Sequence, residues 1–350
     1  MKDLVYSAIK SVVKAGLHCY YKKIEIRGLE NVPKDKPVLF LPNHQSALMD
    51  VLLIVTDCSR KPYFLTRSDI FGKPFLDKIF NFFRMIPIYR IRDGRDALSK
   101  NEAIFDKCAD ILNSGSALAM FPEANHHLNR SVRPLSKGFT RILFRAMEKY
   151  PNLDVQLVPV GLNYKDATSF QDEVSLFYGK PISLNDVYQE TDLHSTVIRL
   201  KETITKNLQM LTTHIPPEAN YKKVEAKLYE RNINFLNPTE TNNEIQKVLK
   251  EPLADDEALR TRRQKTSVLS PLFILLNLPL VLFWRILVKP KVWEPEFMAT
   301  MRFSMAFIGF SIYYLLIFII LLLLVNLNAA LLSVLGIFVF NWLVVKYGNL

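Results

Sequence analysis

The amino-acid sequence predicts an α/β domain with a mixed central sheet flanked by helices, followed by a C-terminal α-helical transmembrane region. Two observations support this fold class. Short apolar runs alternate with longer helical patterns in the first part of the chain, whereas the last 82 residues contain only five basic and two acidic groups. We therefore expect four parts: an interfacial N-terminal amphipathic helix at residues 1–22, the α/β domain at 23–214, a helical connector at 215–267 and a membrane region at 268–350.

The N-terminal segment has apolar side chains at helical spacing, and its lysines fall largely elsewhere on the helical wheel. A basic amphipathic helix of this kind is typical of a segment that lies in the headgroup layer of a membrane. The alternative is a helix that packs on the core of the following domain. Because Lys10 and Lys14 interrupt the apolar stretch that a cleavable signal peptide requires, we expect the domain to face the cytoplasm.

The α/β domain is predicted from short apolar runs that alternate with helical patterns. Strands are predicted at residues 24–27, 37–41, 63–66, 86–89, 117–121, 155–160 and 174–177. Helices are predicted at residues 50–56, 73–83, 96–113, 137–148 and 184–210. The connector that follows contains Pro216, Pro217 and Pro238 and many polar groups, and we interpret it as a segment without chemistry.

The membrane region is predicted from its length and lack of charge. The 43 residues between Arg302 and Lys346 carry no formal charge, and as one helix they would be about 65 Å long. Because the hydrocarbon core of a bilayer is only about 30 Å thick, we expect two transmembrane helices, at about 303–325 and 328–346. The apolar segment 269–288 contains two prolines and has basic groups on both sides, so it is either re-entrant or a third span.

The net charge of +11 indicates a partner with an anionic surface. The last 82 residues contribute +3, which leaves +8 on residues 1–268. Nucleic acid and the cytoplasmic leaflet of a membrane both attract a chain of this charge. The densest basic cluster, residues 260–265, directly precedes the apolar tail, and no nucleic-acid-binding signature is present. We therefore expect membrane lipids, and no nucleic acid, among the partners.

The segment Asn43-His44-Gln45-Ser46-Ala47-Leu48-Met49-Asp50 leaves a predicted strand and enters an apolar helix. A histidine in this position can act as a general base, and a carboxylate one or two turns later can fix its tautomer. Imidazole accepts a proton near neutral pH without large tuning. A structural contact between His44 and Asp50 is the alternative interpretation of this pair alone.

Three further strands end in residues that suit a binding site. One ends in Arg90, whose guanidinium group matches the oxygens of a phosphate. Another ends in Phe121-Pro122-Glu123-Ala124-Asn125, and a third in Val158-Pro159-Val160-Gly161. Because the ends of neighbouring strands lie close together in an α/β sheet, we expect His44, Arg90 and Glu123 to line one crevice.

These four blocks, in this order and spacing, resemble the glycerolipid acyltransferase superfamily, which includes the lysophosphatidate and glycerol-3-phosphate acyltransferases. The resemblance covers roughly residues 24–181. It implies that His44 is the base, that Asp50 orients it, and that the other matching residues bind the phosphate and headgroup of the acceptor. Those substrate-binding residues are Arg90, Glu123, Asn125 and Lys137.

The sequence departs from the family pattern at two places. Five residues rather than four separate His44 from Asp50, which a loop before the helix can absorb. Ala124-Asn125 replaces Gly-Thr after Glu123, although the Asn125 side chain can still donate hydrogen bonds. His126-His127 follow where an arginine is common, and we expect them to face solvent or phosphate rather than a metal, because no third ligand is evident.

The resemblance implies an acyltransferase that forms phosphatidate from 1-acylglycerol 3-phosphate, with acyl-CoA or acyl-carrier protein as co-substrate. It implies neither a cofactor nor a covalent acyl-enzyme. Glycerol 3-phosphate is the alternative acceptor. A non-catalytic lipid-binding protein on the same fold is an alternative of another class, and His44, Asp50, Arg90 and Glu123 together argue against it, because a binding module has no need of a base.

Overall fold

The computed structural model describes residues 2–90, 93–94, 96, 99–251 and 267–348. Within them an eight-stranded mixed sheet forms the centre of the first domain, as predicted. Its strands are β1 (Lys23–Arg27), β2 (Val38–Pro42), β3 (Tyr63–Arg67), β4 (Met85–Ile88), β5 (Ala117–Ala119), β6 (Gln156–Tyr164), β7 (Glu173–Tyr178) and β8 (Ile182–Ser183).

The strand order is β1-β7-β6-β2-β5-β3-β4, and β8 pairs with β6 outside this path. Strand β6 is antiparallel to β7 and β8, whereas all other neighbouring pairs are parallel. The carboxyl ends of β2, β5, β3 and β4 therefore meet at one edge of the sheet. The segments that follow these four strands carry His44, Glu123 and Arg90.

Helices cover both faces of the sheet, which explains why its central strands are apolar at nearly every position. The helices of this domain are α1 (Lys2–Tyr20), α2 (Ala47–Asp57), α3 (Pro74–Phe82), α4 (Asn101–Asn113), α5 (Gly138–Lys149) and α6 (Leu193–Leu211). Helices α4, α5 and α6 pack on one face through a large apolar cluster. Helices α1 and α2 pack on the other face.

Helix α1 packs on the domain along one side. Leu17 and Tyr20 are buried in the same apolar cluster as α2, and Lys14 forms an ion pair with Asp57 at 2.6 Å. On the other side, Leu4 is 76% exposed and Val12 is 58% exposed. The helix therefore has a packed face, and it also keeps an apolar face that is available to a headgroup layer.

The connector contains helices α7 (Tyr221–Glu230) and α8 (Pro238–Val248) around a small core of their own. It is attached to the sheet, because the Ser175 hydroxyl on β7 donates a hydrogen bond to the Leu236 carbonyl at 2.7 Å. The basic cluster at residues 260–265 lies outside the described residues.

The membrane region contains four α-helices among the described residues: α9 (Ser270–Leu276), α10 (Leu278–Leu282), α11 (Met298–Leu324) and α12 (Leu327–Tyr347). Helices α11 and α12 are each long and apolar enough to cross a membrane, in agreement with the prediction. The pair from α9 to Lys291 is bent by 93°, so the described residues contain two candidate spans, or three if this bent pair counts as one span. Helix α11 begins about five residues earlier than predicted because Ala299 and Phe303 are buried against the α/β domain.

Candidate active site

His44 lies in the short loop between β2 and α2, and its ring nitrogen Nδ1 is 2.7 Å from Oδ2 of Asp50. Helix α2 begins at Ala47, so residues 43–46 are outside the helix. The extra residue between His44 and Asp50 is absorbed there, as the sequence allowed. The loop is attached to β6, because the Asn43 side chain exchanges two hydrogen bonds with the backbone of Leu162.

The carboxylate of Asp50 is completely buried and has hydrogen bonds on both oxygens. Oδ2 accepts from the backbone amides of Gln45 at 2.8 Å and Ser46 at 2.9 Å, in addition to its contact with His44. Oδ1 accepts from the hydroxyl of Tyr164, the last residue of β6, at 2.5 Å. These contacts fix the carboxylate. With Nδ1–H donating to Asp50, the Nε2 atom of His44 has its lone pair available to a substrate.

Two aromatic side chains pack against the ring of His44. The Phe121 ring is stacked on it at 3.8 Å between ring centroids, with an interplanar angle of 17°. The His126 ring approaches it edge-on at 5.5 Å. Because one face of the imidazole is covered by Phe121, the ring can rotate little, and its orientation is maintained by packing as well as by Asp50.

Glu123 lies beside His44, and both residues line one small cavity. Its carboxylate pairs with Arg133 through Oε2, at 2.8 Å from Nη2 and 2.9 Å from Nε. Its other oxygen, Oε1, is buried and has no hydrogen-bond partner among the described residues. Burial raises the pKa of Glu123, while the positive charge of Arg133 opposes this shift. Glu123 is therefore held by Arg133, with one oxygen left for a ligand.

Arg90 lies at the same edge of the sheet as His44, three strands away, which corresponds to about 14 Å between strand positions. Arg67, the last residue of β3, lies between them. Its guanidinium group forms two hydrogen bonds with Asp69, and Oδ2 of Asp69 is also 3.4 Å from Nη2 of Arg90. One carboxylate thus joins two arginines, and hydrogen bonding to Asp69 raises the pKa of Arg67.

Like Arg90, two further predicted substrate-binding residues do not line the cavity that His44 and Glu123 share. Lys137 is exposed and lines a separate open groove of about 440 Å³ together with residues of α6. Asn125 is exposed at the rim, and it is its backbone carbonyl, rather than its side chain, that accepts a hydrogen bond from Arg133. Of the six predicted site residues, the structure therefore brings His44, Asp50 and Glu123 into one group and places Arg90 at the same edge.

His126 contacts the membrane region, which the sequence did not suggest. Its Nε2 is 2.8 Å from Oε2 of Glu294, and its ring is edge-on to Phe297 at 4.9 Å. The carboxylate of Glu296 lies close to both His126 and Glu294. The expectation that His126 faces solvent or phosphate is therefore wrong. The reason given for it, that no third ligand is evident, is also wrong, because two carboxylates that are distant in sequence lie next to the ring. Burial lowers the pKa of His126.

Sequence reasoning also missed residues that support the predicted ones. Tyr164 and Arg133 contact Asp50 and Glu123, and no local pattern marks either residue. Glu294 had a usable signal, since it is one of only two acidic residues in the last 82, and carboxylates in an apolar region are rare without a partner.

The fold and the site together define a class of protein. A histidine base with a buried carboxylate partner, at the carboxyl edge of a helix-flanked sheet, is suited to transfer of a group to a hydroxyl. Residues 23–163 match the sequence profile of the family described as Acyltransferase, so the chain carries an acyltransferase-family domain over this range.

Individual relatives agree with this assignment. The chain is 29% identical over 135 residues to glycerol-3-phosphate O-acyltransferase 2 of Saccharomyces cerevisiae, a match that covers 37% of this chain and 18% of the yeast protein. It is 28% identical over 119 residues to a chloroplastic 1-acyl-sn-glycerol-3-phosphate acyltransferase of Brassica napus, covering 34% of this chain and 33% of that protein. The matched region thus spans a third or less of these relatives.

Among solved structures, the chain is similar to the 1-acyl-sn-glycerophosphate acyltransferase PlsC from Thermotoga maritima. The TM-score is 0.38 at 19% sequence identity, and the similarity covers 53% of this chain and 72% of that chain.

Proposed function

We propose that this protein transfers a fatty acyl group from acyl-CoA or acyl-carrier protein to a free hydroxyl of 1-acylglycerol 3-phosphate, forming phosphatidate. The observation that carries the proposal is the His44–Asp50 pair at the edge of the sheet where Arg67 and Arg90 also lie. A base that is fixed in one tautomer, at the sheet edge that also carries cationic side chains, suits a hydroxyl acceptor that carries a phosphate. The reaction requires the acyl thioester as co-substrate and no further cofactor.

In the proposed mechanism, Nε2 of His44 takes the proton of the acceptor hydroxyl as its oxygen attacks the thioester carbonyl. Asp50 stabilises the imidazolium that forms. Backbone amides near the turn after β5 stabilise the oxyanion of the tetrahedral intermediate. The carbon–sulfur bond then breaks, the thiolate takes the proton from His44, and the ester and the free thiol leave. Acyl-enzyme formation is not needed.

The membrane helices have a direct use in this reaction. Both the fatty acyl donor and the lipid product partition into a bilayer, so a site beside the turn that leads into α11 shortens their path. We place the acyltransferase domain on the cytoplasmic face, where acyl thioesters are made. The positive charge on residues 1–268 is consistent with this side, because the cytoplasmic leaflet is anionic.

Glycerol 3-phosphate is the second candidate acceptor, and the yeast relative favours it. The test is to incubate the full chain, in detergent micelles with added phospholipid, with radiolabelled acyl-CoA and each of glycerol 3-phosphate, lysophosphatidate and lysophosphatidylcholine. We expect labelled phosphatidate from lysophosphatidate at the highest rate. If glycerol 3-phosphate is acylated fastest instead, and labelled lysophosphatidate is the main product, then glycerol 3-phosphate is the acceptor. Absence of product from all three would contradict the proposed function.

Replacing Arg90 by alanine is expected to raise the KM for the acceptor by about tenfold to 100-fold, because one charge-assisted hydrogen bond to phosphate contributes about 1.5–3 kcal/mol. The KM for acyl-CoA should change much less. The measurement is initial rates with each substrate varied in turn. The matched control is Arg27→Ala, since Arg27 is an exposed arginine on β1 at the opposite edge of the sheet. Equal effects of Arg90→Ala on both KM values would refute the assignment.

A further inference from the structure

Three side chains of metal-binding type lie together where the acyltransferase domain meets the membrane region. One ring nitrogen of His126 and one carboxylate oxygen each of Glu294 and Glu296 all lie within 4.8 Å of one another. His126 follows β5, whereas the glutamates lie at the 3-10 turn Pro295–Phe297 that leads into α11. His126 and Glu294 are separated by 168 positions in the sequence, so the cluster is produced by the fold and not by local spacing.

The distances suit a single bound ion. In a tetrahedral zinc site with bonds of about 2.0 Å, neighbouring ligand atoms are roughly 3.3 Å apart. The separation of 2.8 Å between His126 and Glu294 and the limit of 4.8 Å for the whole set lie on either side of this spacing. All three residues are partly exposed, so an ion can enter from solvent, and the edge-on contact with Phe297 fixes the direction of the His126 ring.

The charges in the cluster are unbalanced. The ring of His126 forms a hydrogen bond with Glu294 at 2.8 Å, and Arg67 interacts electrostatically with Glu294, whereas Glu296 has neither a hydrogen bond nor an ion pair within the part of the chain that the structure describes. Two carboxylates so close together repel each other unless a cation lies between them. A single imidazole cannot neutralise both groups, whereas a divalent ion can.

We propose that His126, Glu294 and Glu296 bind one divalent transition-metal ion of the Zn²⁺ class. One imidazole nitrogen with two carboxylate oxygens is a ligand set that suits zinc, and three protein ligands leave a fourth position for water. The ion takes the place of the hydrogen bond between His126 and Glu294, and it connects the loop after β5 to the turn before α11. It therefore cross-links the acyltransferase domain to the membrane region next to His44. The proposal does not depend on the acyl-transfer reaction.

The test uses the full chain in detergent micelles, purified without a polyhistidine tag and stripped with EDTA. Zn²⁺ is titrated into it by isothermal calorimetry in the absence of substrate. We expect one ion per chain, with affinity at least about tenfold weaker in His126→Gln and in Glu296→Gln. Glu296 is the more informative position, since among the described residues it has no hydrogen bond or ion pair to lose. The matched controls are His127→Gln, the neighbouring histidine, and Glu190→Gln, an exposed carboxylate outside the cluster; both should bind like the parent chain.

Two further readouts make the result independent of activity. Co²⁺ bound in place of Zn²⁺ should give visible absorption bands that disappear in Glu296→Gln. Zn²⁺ should also raise the melting temperature of the parent chain more than that of Glu296→Gln, because it cross-links distant segments. The proposal would be overturned if the parent chain bound Zn²⁺ no more tightly than His126→Gln does. It would also be overturned if His127→Gln lost as much affinity for Zn²⁺ as His126→Gln. Loss of acyl transfer alone would bear only on the proposed function.

Discussion

Replacing His44 by alanine is expected to lower kcat for acyl transfer by about 1,000-fold to 10,000-fold, the upper part of the range for general base catalysis. The substrate hydroxyl then has no group to accept its proton as it attacks. The fold should survive, because Asp50 keeps its hydrogen bonds from two backbone amides and from Tyr164. The measurement is the initial rate of labelled ester formation at saturating substrates, beside thermal unfolding of the same preparation.

The control for this variant is His18→Ala. His18 is a partly buried histidine on α1, and it lies near Asp57, at the other end of α2 from the His44–Asp50 pair, so it tests loss of an imidazole without loss of the base. We expect His18→Ala to retain activity within about threefold of the parent chain. If His44→Ala retained more than a tenth of the parent rate while folded, His44 would be rejected as the base.

The dyad could be predicted because its geometry is local. His44 and Asp50 are six positions apart, at a strand–helix transition that the apolar pattern marks on both sides. The distance of 2.7 Å follows once the helix begins at Ala47. The partners of Asp50 and His126 could not be predicted in this way. Tyr164 is 114 positions from Asp50, and Glu294 is 168 positions from His126, so both contacts depend on the assembled sheet and on the docking of the membrane region.

The strands of the sheet also differ in how clearly the sequence predicts them. Strand β2 was predicted because every residue in it is buried, which produces a continuous apolar run. Strand β8 has only two residues and offers no periodicity. Strand β6 was predicted to end near Val160, yet it continues to Tyr164 through Gly161. The glycine is required there because the backbone carbonyl of Leu211 occupies the space that a Cβ atom would need.

The substrate-binding residues were the least predictable part of the site. A strand end gives the edge of the sheet at which a side chain lies, but not the direction of a long side chain. Lys137 matches the family pattern, but it lies in the groove beside α6 and not in the cavity that contains His44. Arg67 did not stand out in the sequence, although its strand lies between those that lead to Glu123 and Arg90. Strand order decides which side chains are neighbours, and strand order cannot be inferred from local sequence patterns.

Replacing Asp50 by asparagine is expected to lower kcat by about four orders of magnitude, the size of effect seen when a catalytic triad loses its carboxylate charge. The amide has nearly the same shape. Its oxygen can accept from the amides of Gln45 and Ser46, and its NH₂ group can donate to the Tyr164 hydroxyl, so the buried hydrogen bonds are retained. What is lost is the negative charge that stabilises the imidazolium of His44.

The matched control is Asp57→Asn, at the other end of α2. Its carboxylate is also nearly buried and pairs with Lys14 at 2.6 Å, but it is remote from His44 in the fold. We expect Asp57→Asn to lower the melting temperature without reducing kcat by more than about threefold. Steady-state rates and thermal unfolding of both variants separate the two effects. A kcat within tenfold of the parent value for Asp50→Asn, or an equal loss in both variants, would show that the charge of Asp50 has no special part in catalysis, and that its hydrogen bonds only hold the loop in place.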